Sequence, residues 1–212
     1  MNRWIDISQL LDASIAAWPG DVPFSRRDTL QISSGDSVNC SAIDQSAHVG
    51  THADAPYHVN SDGPTTDSWT LGTFIGPAEV VSIPAGTPAV QPGHLVGCET
   101  PRILLKTVCS HRSDTSWNDA FPAISLDAVQ WMAEQGIQLV GTDAPSVDPA
   151  DSTGLDAHHA LNEAHIVNIE NLRLGHVEAG TYSLVALPMP VAGSDAAPVR
   201  AVLHADTTLF TG

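Results

Sequence analysis

Glycine and proline punctuate this chain from end to end, sixteen and fifteen of them in 212 residues. Both residues break regular structure, so the chain is confined to short elements joined by many turns. Apolar runs between these breakers predict strands over 4–8, 38–43, 78–83, 102–107, 137–142, 166–169 and 182–187, with 199–204 as a further one. Two helices interrupt them. Ser125 is placed as an N-cap, Asp127 falls in the first turn, and Val129, Met132 and Ala133 form an apolar stripe that stops at Gly136. The second helix is expected over about 157–163. Many strands with few helices predict an α/β domain on a mixed or closed sheet, and the length suits one domain over 1–212. A chain of this size buries roughly 70% of its unfolded surface, enough to fold without a disulfide or a structural metal.

The charge is one-sided: 24 acidic residues against eight basic ones, a net charge of −16. A surface of that sign repels phosphate backbones and anionic lipids, so neither nucleic acid nor membrane is an expected partner. No run of 18 apolar residues occurs, and the first residues carry Asp6 and Asp12 where a signal peptide needs an apolar stretch. Cys40, Cys98 and Cys109 are odd in number and widely spaced. They read as free thiols, which suits a reducing, cytoplasmic location.

Between residues 39 and 76 the periodicity lapses and the chemistry concentrates. The segment His48-Val-Gly-Thr-His-Ala-Asp-Ala-Pro-Tyr-His58 holds three histidines and an aspartate within eleven residues. Its spacing would place His48 and His52 on one helix face, but Gly50 weakens a helix, Pro56 forbids its continuation and no glutamate follows His48. A straight strand fails too. At about 3.3 Å per residue it carries His52 about 13 Å beyond His48, whereas ligands of one ion each sit about 2.0–2.2 Å from it. The chain must therefore bend, and Gly50-Thr51 is the natural place. The expected arrangement is a strand ending near His48, a turn at Gly50 and a loop delivering His52 and Asp54. Two imidazoles and a carboxylate suit Zn²⁺, Mn²⁺ or Fe²⁺ and leave a position open for water. A second cluster, Asp156-Ala-His158-His159 with Glu170 beyond it, gains meaning if Asp54 bridges two ions. His94, His111, His165, His176 and His204 have no partner at suggestive spacing and read as surface or incidental, and Cys40, Asp143 and Asp148 as structural or supporting.

The segment 48–58 resembles the H-x-G-T-H-x-D-x-P-x-H motif of the cyclase-type metal-dependent hydrolases. Within that family the chain resembles the bacterial kynurenine formamidases over nearly its whole length, from Trp4-Ile-Asp-Ile to Val199-Arg-Ala-Val. The matching pieces include Trp18-Pro-Gly-Asp21, Val38-Asn-Cys-Ser-Ala-Ile43, Gly141-Thr-Asp-Ala-Pro-Ser-Val-Asp-Pro149, Leu155-Asp-Ala-His-His159 and Ile169-Glu-Asn-Leu172. Ala144 departs from the threonine expected there. The resemblance implies a mixed α/β fold with a swivelled, barrel-like β-layer and flanking helices. It implies a homodimer that hydrolyses N-formylkynurenine in tryptophan degradation. It makes His48, His52 and Asp54 ligands of one divalent ion, with Asp54, His158 and Glu170 holding a second. Zinc is the first expectation and manganese the alternative. His58 would carry the proton, and Trp18 would contact the substrate. A related metal-dependent amidohydrolase opening a cyclic amide or ester such as isatin is the competing enzyme reading, and a metal-binding scaffold without catalysis the competing class.

Overall fold

Of the apolar runs marked in the sequence, all but 38–43 pair within one large sheet, in a computed structural model that describes residues 4–210. Residues 1–3 and 211–212 of the expected 1–212 domain lie outside the described residues. In chain order the strands are β1 (Trp4–Asp6), β2 (Ser25–Leu30), β3 (Cys40–Asp44), β4 (His52–Asp54), β5 (Ile75–Ser82), β6 (Ala89–Val90), β7 (Arg102–Lys106) and β8 (Ala123–Ile124). Helix α1 (Leu126–Glu134), β9 (Leu139–Thr142), α2 (Asp156–Glu163), β10 (Val167–Glu170), β11 (Gly180–Val185), β12 (Ala196–Pro198) and β13 (Val202–His204) follow.

Nine strands form the sheet in the order β1-β13-β11-β5-β7-β9-β10-β4-β12. The central β5, β7, β9 and β10 run parallel, and antiparallel strands extend the sheet on both sides. Alternation then sorts side chains onto two faces. Ile103, Leu105 and Val140 point to one face, where Ala128, Val129 and Met132 of α1 and Ala157 and Leu161 of α2 cover them. Leu104, Leu139, Ile169, Ala78 and Val80 point the other way, into a cluster shared with Ala53 of β4 and with Leu184 and Leu203 of β11 and β13. Strands near opposite ends of the sheet thus meet in one core, which requires the sheet to curl into a half-barrel. The chain ties the curl shut: after β12, Val199 N donates to Thr51 O (2.9 Å), and Ile7 N donates to Ala201 O (3.0 Å). The mixed, curled sheet with flanking helices matches the expected architecture.

Ser125 caps α1 as predicted, its Oγ accepting from Ala128 N at 3.1 Å, and Gly136 leaves the helix at φ +71. Besides the two- and three-residue strands β6, β8 and β12, which the sequence reading did not mark, three features depart from it. Strand β2 was not expected: it reads Ser-Arg-Arg-Asp-Thr-Leu, every residue is exposed, and it pairs only with β3. The order of strand and loop around Gly50 is reversed. His48 lies in the turn, Gly50 makes the bend at φ +74, and His52–Asp54 is a buried strand. Three residues are too few for a periodic signal, and β4 exists because β10 and β12 hydrogen-bond to it on either side. Finally, His204 is buried against Trp4, ring centroids 4.6 Å apart, and is not a surface residue. No helix among the described residues is long and apolar enough to cross a membrane.

Candidate metal centre

The site grows from the pairing of β4 with β10. Glu170 sits directly opposite His52 and Ile169 opposite Ala53. Alternation buries Ala53 and Ile169 in the half-barrel and sends His52, Asp54, Asn168 and Glu170 to the helix-covered face, where Asn168 lies beside Val140. Helix α2 packs on that face and brings His158 to the same point. The start of α2 has no capping side chain of its own, because the N-cap position is Leu155, an apolar residue held at a left-handed φ of 47°. Asp148 does the capping, accepting from Ala157 N (2.9 Å) and His158 N (3.0 Å) while also accepting from the His158 ring at Nδ1 (2.6 Å). One carboxylate therefore fixes both the helix and the histidine it presents.

The donor atoms converge. Asp54 Oδ1 lies 3.2 Å from His48 Nδ1 and 3.3 Å from His52 Nε2. Asp54 Oδ2 lies 3.4 Å from His158 Nε2, and Glu170 spans the far side at 3.4 Å from both His158 Nε2 and His52 Nε2. Two donors held about 2.1 Å from one ion at a tetrahedral angle are about 3.4 Å apart, so these separations are those of a coordination edge. The atoms are also orphaned: His52 Nε2, Asp54 Oδ1 and His158 Nε2 are buried with no hydrogen-bond partner. Burying three such groups without a protein partner is costly unless something binds them. Each histidine has its other ring nitrogen tied down. His52 Nδ1 donates to Gly50 O (2.8 Å), His158 Nδ1 to Asp148, and His48 Nε2 to Asp195 Oδ2 (2.9 Å). Such bonds select the tautomer whose free lone pair faces the cluster. The set fits one or two divalent ions.

Electrostatics agree with the geometry. Burial alone would push the His52 imidazole down, but Asp54 and Glu170 beside it hold its pKa up at about 10. Burial opposes protonation of His158 too, and Asp148, Asp54 and Glu170 outweigh it, raising the value to about 12. Burial acts to raise Asp54, yet its histidine neighbours hold it well below the usual carboxylate range.

The cluster floors a cavity of about 420 Å³ that His48, His58, His158 and Glu170 help to line. His58 follows β4 on a single 3-10 turn begun by Pro56. Its ring centroid is 4.4 Å from that of His48, its Nδ1 is 3.4 Å from Asp195 Oδ2, and its side chain is open to the cavity. Its ring nitrogen also lies within reach of the His48 and Asp54 donors. Trp18 stands in the cavity wall, 38% exposed, edge-on to Trp117 with centroids 4.6 Å apart. Five of the seven residues singled out in the sequence (Trp18, His48, His58, His158 and Glu170) thus line one cavity, and the other two, His52 and Asp54, are buried beside them within 3.2–3.4 Å of the same donors.

Two supporting residues, Asn168 and Asp195, escaped the sequence reading, and a third, Asp148, gains a definite partner. Asn168 donates to Asp54 Oδ2 (2.6 Å) and Glu170 Oε1 (3.2 Å), joining the two carboxylates. Its position two residues before Glu170 on a strand is a signal that alternation could have supplied. Asp195 stands 147 residues from His48 and only folding brings them together. Asp148, read as structural or supporting, proves to be the carboxylate behind His158.

A curled mixed sheet bearing a buried His/Asp/Glu cluster at one edge defines the class of metal-dependent hydrolases. A solved structure described as a predicted metal-dependent hydrolase from Bacillus stearothermophilus shares 26% identity with this chain at a TM-score of 0.80, covering 94% of this chain and 97% of that one. The chain belongs to the cyclase family, whose model ("Putative cyclase") matches residues 5–149. The particular branch follows from a closer relative, the kynurenine formamidase of Salinibacter ruber, 47% identical over 204 residues, 94% of this chain and 96% of that protein. Isatin hydrolase A from Labrenzia aggregata shares the fold at a TM-score of 0.82 and 23% identity, covering 95% of this chain and 93% of that one.

Proposed function

We propose that this chain is a kynurenine formamidase, hydrolysing N-formyl-L-kynurenine to L-kynurenine and formate in tryptophan degradation. The observation that carries the reading is the set of buried, orphaned donors at His52, Asp54 and His158 beneath a cavity walled by tryptophan. The 47% identity to a kynurenine formamidase supports the substrate. The cyclic-amide alternative draws only on fold, since the isatin hydrolase is 23% identical.

In this reading His48, His52 and Asp54 hold one divalent ion and Asp54, His158 and Glu170 a second. Zinc is the metal best suited to the mixed imidazole and carboxylate set, with manganese the alternative. A divalent ion bound there supplies a water activated near neutral pH and a polarised formyl carbonyl. His58 takes a proton as water attacks and returns it to the departing aryl nitrogen. Asp195, against His58 Nδ1, leaves Nε2 for the transfer. Trp18 offers its face to the aryl ring. The leaving group is an aromatic amine, a weaker base than an alkyl amine, so one histidine suffices as acid.

The active unit in this reading is a homodimer in the cytoplasm. A two-stranded hairpin is marginal on its own, and β2–β3 stands on no core cluster while exposing Leu30 and Ile43. The three free cysteines suit a reducing compartment. The test of function is formate release from N-formylkynurenine beside ring-opening of isatin, with elemental analysis of the same protein. Formate release that survives removal of all metal, or isatin opening without formate release, overturns the proposal.

A further inference from the structure

Among the described residues Arg112 is the only lysine or arginine lining the cavity, in a chain with eight cations and 24 acids. Several other arginines are neutralised, Arg26 by Asp28, Arg173 by Asp114 and Arg200 by Asp6. Among the described residues no carboxylate forms a salt bridge with Arg112, whose Nη2 donates to the Ala120 carbonyl. A guanidinium has five N–H donors, so this contact leaves most of them unspent.

The segment carrying Arg112 is built rather than loose at its root. The Asp143 carboxylate accepts from Thr107 N (2.7 Å), Thr107 Oγ1 (2.5 Å), Ser110 N (3.0 Å) and the Ser110 hydroxyl. Arg112 N then donates to Cys109 O at 3.0 Å, closing the turn. The bond to Ala120 ties the guanidinium across to the far limb of the same segment, which also carries Trp117. One segment therefore presents a cation and an aromatic ring to a cavity whose floor is the candidate metal centre.

We infer that Arg112 is a specificity residue that binds the α-carboxylate of an amino-acid substrate, while the formyl amide of the same molecule lies over the metal centre. The inference rests on the formamidase reading and narrows it: the enzyme selects aryl formamides that carry an amino-acid head. A planar guanidinium meets a carboxylate through paired hydrogen bonds, which neutral cyclic amides cannot offer.

The experiment compares two formamides in wild type, R112K and R112Q. One is N-formyl-L-kynurenine. The other is the formamide of 2-aminoacetophenone, which keeps the formyl group, the ring and its ketone but lacks the α-carboxylate and α-amine. Loss of a charge-assisted bond predicts that R112Q loses about 10–100-fold in kcat/KM toward N-formylkynurenine, mainly through KM. R112K loses less, and both variants keep wild-type rates on the truncated formamide. Equal losses on both compounds would mean that Arg112 only straps its segment and would overturn the assignment, as would an unchanged R112Q. Wild-type protein that cleaves neither compound overturns the formamidase reading itself.

Discussion

Filling both candidate sites of the metal-free protein with divalent ions is expected to expel about two protons per subunit at pH 7, one from each site. The reason lies in the atoms that must serve as ligands. Without metal, His52 Nε2 sits 3.3 Å from Asp54 Oδ1 and 3.4 Å from Glu170 Oε2, and the imidazole pKa rises to about 10. His158, flanked by three carboxylates, rises to about 12. Both rings therefore carry at pH 7 a proton on the nitrogen that an ion requires. Removing it from His52 spans three pH units at about 1.4 kcal/mol each, so about 4 kcal/mol is withheld from metal binding at pH 7 and less as pH rises. With one of these protons displaced at each site, affinity for each ion climbs about tenfold per pH unit between pH 7 and 9. Isothermal titration with zinc or manganese in buffers of different ionisation enthalpy counts the protons directly. Binding with no proton release at pH 7 would refute the electrostatic account of the site. The sign can be checked a second way. The folded pKa of His52 lies above its ordinary 6.5, so its stabilising contribution is complete below pH 6.5 and is lost as pH rises through about 10. The melting temperature of metal-free protein should fall over that window and that of loaded protein should fall less.

Three further outcomes follow. His58→Ala is expected to keep its metal content by elemental analysis and to lose about 10²–10⁴-fold in kcat; full turnover would remove His58 from the chemistry. Asp195→Ala frees both His48 Nε2 and His58 Nδ1, and the expected cost is about 10–100-fold in metal affinity or kcat, read by competition with a chromogenic chelator and by steady-state rates. Ile43→Asp places a charge on the exposed hairpin, and light scattering should report dimer for wild type and monomer for the variant; an unaltered mass would move the interface elsewhere.

What the sequence determined by itself was the set of parts. The apolar runs at 102–107 and 137–142 had to be buried strands because nothing else hides Ile103, Leu104, Leu105 and Val140 at once. Ser125 and Gly136 delimited α1 through backbone chemistry confined to their own neighbourhoods. Gly50 had to bend because two imidazoles on a straight chain cannot reach one ion, and the bend is there. Tertiary structure decided how the parts meet. A run as short as His52–Asp54 has no strand character until neighbours hydrogen-bond to it, and so strand and loop changed places around Gly50. Asp195 and Arg112 carried no signal of their own, because a carboxylate or a guanidinium acquires its role from what faces it. Curling the sheet brought β4 of one side and β13 of the other into one core. The pairing of β4 with β10 set Glu170 opposite His52, more than a hundred residues away along the chain. Long-range register of that kind depends on hydrogen bonds and packing between distant segments, and no local pattern records it.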